Sequence, residues 1–179
     1  TKKLTLETPA PVYTLPNGTD SFIFNSLYAS DYNIHIESNN NFNVSIDDKT
    51  YGNENNISFY SDAQKDILID ISAGGGVLGE ITISPNTNDS LSKIPVNGQY
   101  LLKTDLSGVK KLSTNNPDLN ITNICKLNNG ILSDYTDYGE INPYFEITYP
   151  FFDDTYYILI DNILNNDITS QTFTETDVP

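Results

Sequence analysis

Apolar and polar residues alternate along most of the chain. In Tyr32-Asn33-Ile34-His35-Ile36-Glu37, Tyr32, Ile34 and Ile36 fall on one side of an extended backbone and Asn33, His35 and Glu37 on the other. Successive side chains of a strand point to opposite faces, so a period of two predicts strands with one buried face. The same reading predicts strands over 3–7, 21–24, 43–46, 56–60, 67–71 and 78–83, and over 99–103, 110–112, 121–127, 144–149 and 156–161. No stretch carries a sustained 3.6-residue period. The runs are short, rich in Ile, Tyr and Phe, and bounded by Asn, Asp, Gly or Pro, which is the punctuation of a sandwich or barrel. Asn17-Gly18, Asn97-Gly98 and Asn129-Gly130 supply residues that tolerate positive φ at turns. Gly74-Gly75-Gly76 sits between two predicted strands with no helix after it, so it reads as a turn and not a phosphate loop.

One four-residue strand occurs twice: Ile67-Leu68-Ile69-Asp70 returns as Ile158-Leu159-Ile160-Asp161. Ile57-Ser58-Phe59-Tyr60 is echoed by Ile147-Thr148-Tyr149-Pro150, and Asp31-Tyr32-Asn33-Ile34 loosely by Gly98-Gln99-Tyr100-Leu101. Three matches in order imply a duplication. The expected architecture is therefore all-β: antiparallel, jelly-roll-like sandwiches in two tandem related domains, 1–84 and 91–179. Residues 85–90, which include no large apolar side chain, would be the linker.

Composition narrows the function. Nine Lys, no Arg and 24 acidic residues give a formal net charge of −15 over 179 residues. Phosphate backbones are bound by clustered Lys and Arg, so nucleic acid and anionic membranes are poor partners. No apolar run approaches the length of a membrane span, and no membrane insertion is expected from these residues. The single cysteine, Cys125, has apolar neighbours and is expected to be a core thiol, since internal disulfides need pairs. His35, the only histidine, falls on the polar side of its strand, where it is expected to face solvent. The low content of charged residues and the wealth of Asn, Ser and Thr suit a bacterial protein placed outside the cell, secreted or on the surface.

Both halves resemble the bacterial pre-peptidase C-terminal domains. The residues that carry this are Ser21-Phe22-Ile23-Phe24 with Tyr32-Asn33-Ile34 in the first half. In the second they are Gln99-Tyr100-Leu101-Leu102 with Asp154-Thr155-Tyr156-Tyr157-Ile158-Leu159-Ile160. The family's Gly-containing turn stands here as Phe152-Asp153-Asp154-Thr155, without its Gly. The resemblance implies an accessory role beside a secreted hydrolase, binding matrix protein or polysaccharide, and no catalysis.

Candidate chemistry is sparse. Asp134, Asp137 and Glu140 crowd the segment 133–140, read as a loop. Calcium takes six to eight oxygens from such loops, and a solvated turn is the competing reading. Asp47-Asp48 is a second acidic pair, and Asp153-Asp154 reads as a hairpin turn. Paired carboxylates can cleave glycosides, but nothing else of a hydrolase accompanies them, so no enzyme is expected. Tyr135, Tyr138 and Tyr144 are the expected ligand-binding rings, placed at loop or strand-edge positions where aromatic area is presented at low entropic cost. The expected partner is an extracellular polysaccharide or a surface or matrix protein. A structural spacer, or an ancillary domain of a secreted hydrolase, is the alternative.

Overall fold

The computed structural model describes residues 1–137 and 144–179. It is all-β and, apart from one short edge strand, antiparallel, with sheets arranged as sandwiches. The strands are β1 (Lys2–Leu4), β2 (Ala10–Thr14), β3 (Gly18–Ser26), β4 (Ser30–Ser38), β5 (Asn43–Ile46), β6 (Lys49–Gly52), β7 (Asn56–Ser61), β8 (Lys65–Ala73) and β9 (Val77–Ser84). They continue as β10 (Ser90–Ile94), β11 (Gln99–Ser113), β12 (Leu119–Asn128), β13 (Ile131–Asp137), β14 (Glu146–Asn162), β15 (Ile168–Thr172) and β16 (Thr174–Asp177).

Two compact units result. The first comprises Thr1–Leu27, Tyr32–Phe59 and Gln64–Ser84. The second comprises Tyr28–Asp31, Tyr60–Ala63 and Pro85–Pro179. In the first unit a five-stranded sheet, β1-β3-β8-β5-β6, faces a four-stranded one, β2-β9-β4-β7. The pairings are antiparallel except that of β1, which lies parallel to β3. The alternation read from sequence fills the space between them: Phe22 and Phe24, Tyr32, Ile34 and Ile36, Ile67, Ile69 and Ile71 are all buried. The glycine turn 74–76 carries the chain from β8 in one sheet to β9 in the other. Asp47 and Asp48 form a two-residue hairpin between β5 and β6, both at positive φ. Asp47 also accepts a 2.9 Å hydrogen bond from the Leu68 N–H. That acidic pair is turn chemistry.

The second unit has a five-stranded sheet, β13-β12-β14-β11-β16, and the two-stranded ribbon β10-β15. Its core includes Tyr100, Leu102, Ile121, Ile124, Tyr156, Ile158, Ile160 and Phe173. Tyr100 is wholly buried, yet its hydroxyl is satisfied: it donates to Asp31 and accepts from Asn86 Nδ2 at 2.8 Å. Burial and the Asp31 carboxylate push its pKa far above the ordinary phenol value. Asp31 also accepts from the Ser92 hydroxyl and from the Ser92 N–H at 3.0 Å. Residues 85–90 belong to this unit, and Asn86 is buried in it.

The repeated tetrapeptide occupies matching places. Ile69 pairs with Phe22 and Ile46, and Ile160 pairs with Tyr100 and Ile121. Asp70 stands between Ser21 and Ser45, and Asp161 between Gln99 and Asn120. In this ladder Gln99-Tyr100-Leu101-Leu102 takes the place of Ser21-Phe22-Ile23-Phe24, not that of Asp31-Tyr32-Asn33-Ile34. Ile57-Ser58-Phe59-Tyr60 lies in an edge strand, β7, whereas Ile147-Thr148-Tyr149-Pro150 begins the same strand that ends in Asp161. Two of the three expected matches therefore fail.

The two aspartates differ in environment. Asp70 accepts a 2.6 Å bond from Ser21 Oγ. Asp161 Oδ1 and its neighbour Asn120 Oδ1 are buried without hydrogen-bond partners. Burial pushes the Asp161 carboxyl above the usual carboxylate range, opposed by a hydrogen bond from Gln99. A raised acid pKa in the folded state means that folding favours the protonated form. Stability is then lost as pH rises through the folded-state value. Asp161→Asn is expected to raise the melting temperature at neutral pH, and to change it little near about pH 3, where the carboxyl is protonated folded or unfolded. Melting curves at the two pH values test this; a neutral-pH loss would contradict it.

Candidate functional site

The aromatic concentration seen in sequence gathers at one end of the second unit's large sheet. Three β-bulges shape it. In β13, Ile124 pairs with Thr136 and Cys125 with Asp134, so Tyr135 is the extra residue. In β12, Thr122 is extra between Ile121 and Asn123. Between β11 and β14 the register shifts at Leu106/Gly108, opposite Phe152 and Asp153. Gly108 has φ +74, which a side chain would resist there. Bulges re-aim side chains and increase local twist.

The bulge at Tyr135 directs its ring onto three others. Its centroid lies 5.0 Å from Tyr156, edge to face, 5.8 Å from Tyr149 and 6.3 Å from Phe151. The Tyr135 hydroxyl donates to the Pro150 carbonyl at 3.3 Å. Partial burial, with the neighbouring phenols, pushes its pKa up. Tyr156 ties the β14 bulge with its hydroxyl, accepting from the Phe152 N–H at 3.0 Å and donating to the Phe152 carbonyl at 3.3 Å. Lys126 Nζ lies 5.0 Å from the centre of the Tyr156 ring and pairs with Asp154. The pair holds the Asp154 carboxyl below its ordinary range and the Lys126 amine above its own. Phe152, at the β14 bulge, is 75% exposed.

Several expected positions move. Residues 133–137, read as loop, are strand, and Tyr135 is half-buried among rings where an exposed loop ring was expected. Asp153-Asp154, read as a hairpin turn, lies inside the 17-residue strand β14. A bulge explains both: it lets a strand pass through turn-like residues. Tyr144 is exposed, and its carbonyl accepts from the Ile121 N–H. Tyr138 and Glu140 lie outside the described residues. Asp134 is exposed on β13, where it accepts from Asn123 Nδ2 at 3.0 Å and lies 3.6 Å from the buried Cys125 Sγ. Asp137 closes β13 opposite Asn123. Among the described residues, no three His, Cys, Asp or Glu side chains are grouped to hold a metal ion. His35 is partly exposed, with Nδ1 2.8 Å from Asn56 Oδ1 and Nε2 3.3 Å from Glu37 Oε1. Missed in sequence were Phe151, Lys126 and Asp154 as partners of the tyrosines. Lys126 and Asp154 are 28 residues apart, and only the sheet brings them together.

No protein-family model matches the chain, and no curated protein matches it. No helix among the described residues is long and apolar enough to cross a membrane.

Phe151 and Tyr156 are buried in the core, so what the arrangement presents to solvent is the half-buried rings of Tyr135 and Tyr149, the exposed Phe152, one cation and one carboxylate. Such a surface can stack against C–H faces and hydrogen-bond hydroxyl or amide groups.

Proposed function

We propose that the chain is a non-catalytic binding module of a secreted or surface-displayed bacterial protein, taking an extracellular polysaccharide or a surface or matrix protein as ligand. The observation that carries this reading is the pair of half-buried rings Tyr135 and Tyr149, backed by the buried Phe151 and Tyr156, with the Lys126–Asp154 pair beside it. The exposed Phe152 is its neighbour. Composition supports the extracellular placement: Asn, Ser and Thr are abundant and cationic residues few.

The ring cluster dictates how the reading is tested. Tyr135→Ala removes a half-buried ring packed on three others, and is expected to lower stability by about 2 kcal/mol. It therefore cannot report on binding alone. Phe152→Ser changes an exposed position, where stability shifts by about 0.5 kcal/mol or less. Against a panel of glycans and matrix proteins, Phe152→Ser and Lys126→Gln are each expected to weaken the ligand at least about tenfold, the loss of one aromatic or charged anchor. A panel without any ligand, or affinities untouched by both substitutions, overturns the reading and leaves the spacer role in its place.

A further inference from the structure

The outer face of the first unit's four-stranded sheet carries two adjoining rows of opposite character. Tyr13 on β2 and Leu78 on β9 are register partners, 59% and 62% exposed, and Leu15 beside them is 63% exposed. Two residues further along β9, Glu80 stands opposite Pro11 on one side and Glu37 on the other. Alternate residues of a strand are about 7 Å apart, so the apolar and acidic rows are neighbours.

Both rows are unfavourable as they stand. Large apolar side chains clustered in water mark interaction surfaces more often than isolated ones do. Like charges directly opposite across a sheet destabilise it. Neither Glu37 nor Glu80 has a lysine partner among the described residues, and Glu37 reaches only His35, at 3.3 Å. The charges are not needed to block strand addition, because the free edge of β2 is sealed by other groups. Pro11 has no N–H to offer, and its carbonyl is taken by Lys2 Nζ at 2.9 Å. The Tyr13 N–H is taken by Asp20 Oδ2, also at 2.9 Å. An edge closed in this way cannot pair with another strand, so whatever meets this face does so through side chains.

We propose that this face docks a polypeptide segment which lays apolar side chains on Tyr13 and Leu78 and sets a Lys or Arg between Glu37 and Glu80. The cation removes the repulsion between the glutamates, and the apolar contact takes the row out of water. In an extended segment the two groups stand at positions i and i+2, matching the spacing of the rows. This surface is independent of the ring cluster on the second unit.

The test uses the full chain, isotope-labelled, and a synthetic peptide alternating Leu and Lys at every second position with Ser between. Amide shifts are expected to concentrate on β2 and β9. Leu78→Ser and Glu80→Gln should each weaken the peptide at least about fivefold, and a peptide with Ser in place of Leu should bind no better than either variant. Glu80→Gln should also raise the melting temperature of the free protein, because it ends the repulsion with Glu37. The proposal is overturned if shifts scatter over the acidic surface and the Leu-free peptide binds equally well. It is overturned too if Leu78→Ser changes nothing, or if the β2 and β9 shifts appear on concentration without peptide, which would make a second copy the occupant. A Glu80→Gln protein no more stable than the original removes the electrostatic argument.

Discussion

Replacing Gly79 by alanine is expected to unfold the first unit or lower its stability by more than about 3 kcal/mol, the range of severe backbone clashes. Gly79 lies on β9 between Val12 of β2 and Ser38 of β4. A Cβ there would stand 1.8 Å from the Glu37 carbonyl oxygen and 2.9 Å from the Ser38 Cα. All the atoms it meets are backbone, so no rotamer change relieves the contact. Either β4 moves off β9 or β9 slips. A slip of one residue would turn Ile81 and Ile83 out of the core and Glu80 into it. Gly74→Ala is the control. It sits in the glycine turn, its Cβ would meet only the Asn17 side chain at 3.8 Å, and its cost should stay within about 0.5 kcal/mol. Urea denaturation of both variants decides the matter, and equal midpoints would show that the strands accommodate the methyl group.

The same position shows what alternation along a chain reveals and what it hides. Tyr32, Ile34 and Ile36, or Ile67, Ile69 and Ile71, announce a buried face because both neighbouring strands are present and the period is unbroken. Short strands with one neighbour leave a weaker trace. β2, β6, β10, β13, β15 and β16 went unread, and most lie at an edge or, like β10 and β15, pair only with each other. Edge strands have less to bury and can hold Pro, Lys or Gly. Opposite errors came from bulges. Gly108 and Asp153-Asp154 look like turns, yet β11 and β14 run through them without a break. A bulge is a relation between two strands, so one strand's sequence does not display it. Tyr135 stands out in sequence because the acidic segment around it reads as a loop, but its true surroundings depend on that same relation. The link between Asp31 and Tyr100 spans 69 residues, with no local signal at either end.

Asn162→Ala is expected to cost the second unit about 3–5 kcal/mol, because a small buried side chain there answers three backbone groups at once. Asn162 ends β14 and is 1% exposed. Its Nδ2 donates to the Ile94 carbonyl at 3.0 Å and the Asn166 carbonyl at 2.9 Å, and its Oδ1 accepts from the Leu164 N–H at 2.9 Å. Its own backbone closes the turn at Asn97-Gly98, donating to the Gly98 carbonyl and accepting from the Asn97 N–H, both at 3.1 Å. One residue thus fastens the end of β14, the exit of β10 and the loop that follows. Alanine leaves two carbonyls and an N–H to find other partners, each costing about 1–3 kcal/mol where water cannot enter. Asn162→Asp separates the contributions. It keeps the acceptor for Leu164 but removes both donors and brings a carboxylate oxygen against two carbonyl oxygens. If the donors dominate, aspartate is as damaging as alanine, and more so at neutral pH than in acid, where a protonated carboxyl restores one of the two bonds. If the loss is under about 1 kcal/mol for alanine, the three backbone groups are reaching solvent, and the junction is held by the packing of Ile94 and Ile160 instead.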